Sequence, residues 1–356
     1  MIPRETIQKI LEAGVQAPSG ENCQPWKFVV EDNKIDIFNI PEKDLSLYNF
    51  QQFGSMVAHG ALIENIVIAS SALGYKTSIT LFPDQKDEKH IATLLLEKSI
   101  SKEDPLYSYI TKRVTNRKPY KITPLTQDQK RQLLECAEEI GEGEVRIVDD
   151  LEKKKIIAKA LTISDRLLFE VKKIHDFLFS HISWTKEESL QRKSGFYVKE
   201  MELSPPQEKA FKLFRNWNIL NFFNKLGFSK IAAKGNAKLY AASSAFAVVL
   251  VKGNTPRDFV IGGRLMQRVW LKATKMGISI QPVTGVIFFM QRILGGEARD
   301  FSSEQVNLIK DAYNIIADIF GVGKGTIPML LRIGDGGEPT ARSLRLSANI
   351  EWLQSN

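Results

Sequence analysis

A chain of 356 residues, 43% hydrophobic and 25% charged, has the makeup of a soluble globular protein with room for a large core. Two cysteines, Cys23 and Cys136, exclude a disulfide framework, and no Cys/His spacing suggests zinc. The net charge of +8 raises nucleic acid and anionic lipid as partners, but the lysines are spread along the chain, and runs such as 152–155 and 172–173 look like solvated helix faces.

Residues 3–16 form an amphipathic helix with Ile7, Ile10, Leu11 and Val15 on one face. The N-terminal pattern is helical and unlike a signal peptide, and no uninterrupted apolar run approaches the ~20 residues of a membrane span, so the expected compartment is a reducing cytoplasm. The loop 17–26 follows, Ala-Pro-Ser-Gly-Glu-Asn-Cys-Gln-Pro-Trp. Pro18 stops the helix, Gly20 permits an unusual backbone angle, and Ser19 and Asn22 supply small polar groups. Cys23 reads as a buried bystander within it. Residues 27–40 are two strands around an Asp32-Asn33 turn. The segment 56–73 is apolar over most of its circumference, which predicts a central core helix closed by Gly74, and His59 on it is a satisfied core histidine. Strands follow at 75–83 and 91–98.

The helix Gly60-Ala-Leu-Ile-Glu-Asn-Ile-Val-Ile-Ala-Ser-Ser-Ala-Leu-Gly74 sets beside Gly263-Arg-Leu-Met-Gln-Arg-Val-Trp-Leu-Lys-Ala-Thr-Lys-Met-Gly277. Both glycines match, the apolar positions share a phase, and each helix precedes a strand. Residues 7–13 and 132–137 echo each other more weakly. Two copies of one unit are therefore expected. In the second half, Arg113-Val-Thr-Asn-Arg117 places two guanidiniums four residues apart ahead of a helix starting near Thr126, a spacing that suits one anion better than a duplex. Residues 151–232 have no counterpart in the first half. They are helical, charged and aromatic, and read as a lid, an amphipathic patch for a membrane surface or partner, or helices packed on the core. A strand closes 236–252, Pro282-Val-Thr-Gly285 forms a turn, a strand spans 327–333, and Arg342 and Arg345 follow a flexible turn.

Ala-Pro-Ser-x-x-Asn-x-Gln-Pro-Trp resembles the FMN-holding loop of flavin-dependent nitroreductases. Arg113-Val114-Thr115-Asn116-Arg117 resembles their Arg-x-Ser phosphate element, and 282–285 their Pro-x-x-Gly turn. The chain as a whole resembles the duplicated, Acg-type branch, in which one chain imitates a nitroreductase dimer. The resemblance implies an α+β fold with one half at 1–110 and the other at 111–356, the latter carrying the 151–232 insertion. The loop lies in the first copy and the other elements in the second, so one complete FMN site and one vestigial site are expected per chain.

The resemblance also implies roles. Arg113, Thr115 and Arg342 hold phosphate and ribityl oxygens, with Arg345 and the Val114 backbone beside them. Arg117 and Lys238 lie near flavin N1 and O2, and Asn236 at the ring edge. Pro18, Ser19, Gly20 and Asn22 pack one face, and Val283, Thr284 and Gly285, in the turn that Pro282 opens, reach N5 and O4. No catalytic residue beyond the flavin and no metal are expected. The implied activity is FMN-dependent hydride transfer from NAD(P)H to a nitroaromatic, a quinone or another small acceptor. The alternative is an FMN-binding or storage protein with a lidded site. Neither nucleic acid nor a membrane span is expected.

Overall fold

A computed structural model describes residues 2–99 and 104–354. The first half runs α1 (Arg4–Gly14), β1 (Trp26–Glu31), β2 (Lys34–Asn39), α2 (Phe53–Ala72), β3 (Tyr75–Leu81) and β4 (His90–Lys98). Next come α3 (Gln127–Leu134), α4 (Cys136–Ile140) and β5 (Glu144–Val148), then a helical insert: α5 (Leu151–Glu170), α6 (Lys172–Ser180), β6 (Ile182–Ser183), α7 (Lys186–Arg192), β7 (Phe196–Tyr197), α8 (Pro205–Leu213), α9 (Trp217–Lys225) and α10 (Phe228–Ala241). The chain ends with β8 (Ala245–Val251), α11 (Pro256–Lys275), β9 (Ser279–Pro282), α12 (Gly285–Leu294), α13 (Ser303–Phe320), β10 (Thr326–Gly334) and β11 (Ile350–Trp352). Local signals fix several ends. Thr126, Thr255 and Ser302 close capping boxes at the starts of α3, α11 and α13. Gly74, at φ +82, turns the chain out of α2 into β3.

The two main sheets follow one plan. The first has the order β11-β1-β2-β4-β3 and the second β5-β8-β10-β9. With β11 set aside and strands numbered within each half, both read first-second-fourth-third, and all these neighbours pair antiparallel. In each half the long helix, α2 or α11, links the second strand to the third. The one unmatched strand is β11. The C-terminal arm carries it across to lie parallel to β1, with Phe28 opposite Ile350 and Val30 opposite Trp352.

The helices α2 and α11 cross at the centre, and the crossing is reciprocal. A Cβ on Gly60 would lie 2.0 Å from the Val260 carbonyl oxygen, and one on Gly263 would lie 2.0 Å from the Val57 carbonyl oxygen. Only glycine lets the two backbones approach this closely. Around the crossing, the Arg268 guanidinium donates to Glu64 at 2.7 Å and the Gln267 amide donates to Asn65 at 2.7 Å. Those two pairs occupy equivalent places once Gly60 is set on Gly263. By length and composition α2 could cross a membrane, yet it is sheathed by the rest of the fold.

The insert lies between β5 and β8 and continues to Ala241, past the expected boundary at 232. It is not one thing. The α5 residues Ile157, Ala158 and Leu161 share a core with Val248 and Leu330 of the second sheet. Further on, Leu178, Phe179, Ile182, Val198, Phe214 and Leu220 build a separate small core.

Candidate functional site

A cavity of about 390 Å³ lies against the α2–α11 crossing, within the size range of small-molecule sites. Its walls come from the loop after α1, the segment before α3, the β9–α12 turn, the C-terminal arm and one face of α5. The loop is held in shape by its own polar groups. Ser19 Oγ accepts from the Gln24 N–H at 3.0 Å, Asn22 donates to the Leu344 carbonyl at 2.9 Å, and Gln24 Oε1 accepts from the Leu346 N–H at 2.8 Å. Glu21, Asn22 and Gln24 adopt φ values of 42, 54 and 53°, three left-handed non-glycine residues interrupted only by Cys23 at φ −72°. Strain of that kind persists only where the surroundings over-determine it.

Of the residues the sequence nominates, 18–20, 22, 113–115, 117, 282–285, 342 and 345 all line this cavity. Two do not. Asn236 is turned into the protein, donating to Asp165 Oδ2 at 2.9 Å, and Lys238 is exposed. The cause is helical phase. On α10, Asn236 and Tyr240 are four residues apart on one face, and both bond Asp165, while position 238 points roughly the other way. Asp165, Tyr240, Tyr48, Glu21 and Asp44 line the cavity without having been nominated. For Asp165 a signal exists, a carboxylate in phase with the apolar face of α5 that carries Ala158 and Leu161.

One end of the cavity is cationic. Arg113 is 7% exposed, donates to the Gln16 carbonyl at 2.8 Å and stacks 4.5 Å over Trp270. Its Nε is buried and has no partner. Burial, and then Arg345 and Arg342 beside it, hold this guanidinium well below its usual range. Burial lowers Arg345 to about 10. Arg345 reaches the Ala17 carbonyl at 3.2 Å, and Arg342 the Lys112 carbonyl at 2.7 Å. Arg342 also reaches Glu338 at 3.4 Å and Glu200 acts on Arg345, but Arg113 has no acidic partner among the described residues, so the cluster keeps an unanswered buried charge that suits an anion.

The other side is acidic. Burial, aided by Asp44 and opposed by Arg117, pushes Glu21 up to about 8. Burial raises Asp165 to about 6, against the bonds from Asn236 and Tyr240. A carboxylic acid raised on folding favours the folded state most below its unfolded pKa, and that contribution is lost as pH rises through the folded pKa. The ligand-free protein is therefore expected to lose stability between about pH 4.5 and 8 through Glu21. Thermal melts of the wild type and Glu21→Gln across that window check it, and the Gln variant should show the shallower fall. Equal slopes would remove Glu21 as a cause.

The remaining candidates are structural. His59 Nε2 lies 3.1 Å from Asn39 Oδ1, and burial pushes the ring down to about 3, so it is a neutral core group. Burial and Asp44 raise the Cys23 thiol well above its ordinary value, which suits a bystander.

The strap from Lys193 to Glu202 contributes Phe196 to the cavity lining and is tied to the walls around it. The Lys193 carbonyl accepts from Gln24 at 2.8 Å, the Glu200 carbonyl from Arg117 at 3.2 Å, and Glu202 from the Thr340 N–H and hydroxyl at 2.6 Å each. The Glu200 carboxylate accepts from Ser343, and Phe196 lies 5.0 Å from the Arg117 guanidinium.

Comparison with known proteins gives a match to the Nitroreductase family over residues 1–50. "Putative NAD(P)H nitroreductase Rv3131" of Mycobacterium tuberculosis is 24% identical over 98% of this chain and 92% of its own length. "Uncharacterized protein MT1398" of the same species is 27% identical over 81% of this chain, which spans only 40% of that relative. A third, "Putative NAD(P)H nitroreductase acg", is 28% identical over 26% of this chain and 28% of its own. In its loop string and in these matches the chain is similar to nitroreductases, and to Acg-type proteins among them.

Proposed function

We propose that the cavity holds one FMN per chain and that the protein is an FMN-dependent oxidoreductase, drawing hydride from NAD(P)H and passing it to a small acceptor such as a nitroaromatic or a quinone. The observation that carries this reading is the buried Arg113, its Nε unpaired beside Arg342 and Arg345, at the end of a cavity of ligand size. A phosphate there would answer three guanidiniums at once. FMN, when bound, supplies hydride acceptance and donation. The chain's part is to bind and orient. Arg113, Arg342 and Arg345 fix the anionic end, the 18–22 loop and the 282–285 turn form walls, and Arg117 sets a positive charge near the acidic side. We further infer that the two halves arose by gene duplication, so that a monomer stands in for a dimer, and that the site on the other side is vestigial. The common strand order and the reciprocal glycine crossing support this. Two buried free cysteines suit the reducing cytoplasm we assign.

The test is to purify the protein, quantify FMN per chain, and add NADPH and NADH without oxygen. Bleaching of about one FMN per chain supports a working reductase. No flavin, and none taken up on reconstitution, overturns the reading. A lidded FMN-binding role is favoured by one observation, the strap bonded to the loop, Arg117 and the C-terminal arm. Flavin that resists both nucleotides but bleaches with dithionite would select it.

Glu202→Ala removes the two bonds to Thr340. At ~1 kcal/mol each, their loss should speed reduction by NAD(P)H roughly tenfold or more if strap opening limits access. Stopped-flow bleaching reads this directly, and an unchanged rate would mean that the strap does not gate.

A further inference from the structure

The lysines that look scattered in the sequence are not scattered once acids are counted with them. Residues 209–238 carry seven Lys or Arg and no Asp or Glu. That stretch alone accounts for +7 of the chain's +8. All seven are exposed, and none of them forms an ion pair or a side-chain hydrogen bond among the described residues, whereas basic residues elsewhere, such as Arg131, Arg257 and Lys272, are paired with carboxylates.

The same stretch presents large apolar side chains to solvent. At the turn from α9 to α10, Phe222 is 60% exposed, Leu226 67% and Ile231 69%. Phe222 and Phe223 pack edge to face at 5.7 Å, and Phe223 in turn packs on the buried Phe214 at 5.5 Å, so the turn is anchored to the small core of the insert and is no frayed end. The Ile231 N–H bonds the Gly227 carbonyl at 3.2 Å, which fixes the first turn of α10 just beyond Leu226. Lys225 and Lys230 flank Leu226 and Ile231 in the chain, and Lys234 follows one turn later.

We infer that this α9–α10 corner docks the protein on an anionic lipid surface. Exposed Phe and Leu flanked by unpaired lysines match the acyl boundary and the headgroup layer of such a surface; the stretch itself carries no carboxylate to repel it, and of the α5 acids that α10 bonds, Glu170 is paired with Arg166 and Asp165 faces the cavity. A protein partner would call for a polar rim of both signs, and a duplex for cations tracking phosphates without apolar wedges between them. The docked helix α10 also supplies Tyr240 to the cavity wall, so the contact bears on an element of the site.

The experiment is sedimentation of the full chain with vesicles of pure phosphatidylcholine and with vesicles containing a third phosphatidylglycerol, at low and high salt. Binding to the anionic vesicles should exceed binding to the neutral ones at least tenfold and fall away in 0.5 M salt. The triple variant Lys225→Glu, Lys230→Glu, Lys234→Glu should lose the binding. Phe222→Ser with Leu226→Ser should weaken it tenfold or more, with melting temperatures near wild type because these side chains are exposed. Equal binding to both vesicle types, or binding unchanged by either variant, overturns the proposal. So does a wild-type dimer that the Phe222→Ser, Leu226→Ser variant dissociates, since a second copy would then be what covers the corner. Tighter binding to duplex DNA than to anionic vesicles at the same salt also overturns it.

Discussion

Gly60→Ala, the smallest substitution available, is expected to destabilise the protein by about 3 kcal/mol or more, near the upper end for overpacked cores. The added Cβ would sit 2.0 Å from the Val260 carbonyl oxygen and 2.8 Å from both Arg264 N and Gly263 Cα. These are backbone atoms of a buried helix and have no rotamer to escape into, so α2 and α11 must separate. Separation would strain the Glu64–Arg264 and Glu64–Arg268 ion pairs, at 3.0 and 2.7 Å, whose carboxylate is fully buried. The usual gain from replacing a helical glycine, up to about 1 kcal/mol, is too small to offset this. Gly235→Ala in α10 is the control. Its Cβ would meet nothing within 4 Å, so it should be neutral or slightly stabilising. Thermal melts of the two variants give the answer, and a Gly60→Ala protein that melts with wild type would show that the helix pair can relax at little cost. Gly263→Ala should repeat the Gly60 result, because its Cβ meets the Val57 carbonyl at the same 2.0 Å.

Arg113→Gln should weaken FMN binding by ~2–5 kcal/mol, on the order of thirtyfold to several thousandfold in Kd, as expected when one member of a buried charge pair is truncated. The same substitution should leave the ligand-free protein as stable as wild type or more so. Without an anion this guanidinium is buried, carries an unpaired Nε and faces Arg342 and Arg345, all of which oppose its charge. A fall in affinity with no fall in ligand-free stability marks a binding residue, because a purely structural arginine would lower both. Arg342→Ala should cost about 1 kcal/mol of affinity or less, since Arg342 is more exposed and solvent screens it. Flavin fluorescence titration and melts of the stripped proteins separate these outcomes. Undiminished affinity in Arg113→Gln would take the phosphate end of the cavity away from Arg113.

The arginine result also bears on the strap. If Glu202→Ala speeds reduction while Arg113→Gln strips the flavin, binding and access are separate functions of separate segments. In that case the β9–α12 turn and the C-terminal arm would hold the ligand, and the insert would control access. The α9–α10 corner would then link access to where the protein sits.

Much of this was fixed by local chemistry and legible in the residues alone. Pro18, Ser19 and Asn22 form a loop because a proline, a hydroxyl and an amide favour turns wherever they fall, and the string they belong to carries the resemblance to nitroreductases. The Gly60 and Gly263 helices could be set side by side because a close crossing demands glycine at the contact, a requirement visible one residue at a time. Tertiary structure decided what depends on phase and on distant partners. A two-residue shift on α10 sends Lys238 to solvent and turns Asn236 into Asp165, and no propensity carries that distinction. The acidic side of the cavity exists only because Glu21, Asp44 and Asp165, remote from one another in sequence, meet where water is scarce enough to shift their protons. The strand β11 could not be foreseen, since its partner β1 lies more than three hundred positions away and the alternation of Ile350, Glu351 and Trp352 is too short to mark a strand. The sequence by itself carried the resemblance, the match between the two glycine helices and the arginines that gather at one end of the cavity. Folding decided its acidic side, its strap and the face left for solvent, because each is a sum over contacts between segments that the sequence keeps far apart.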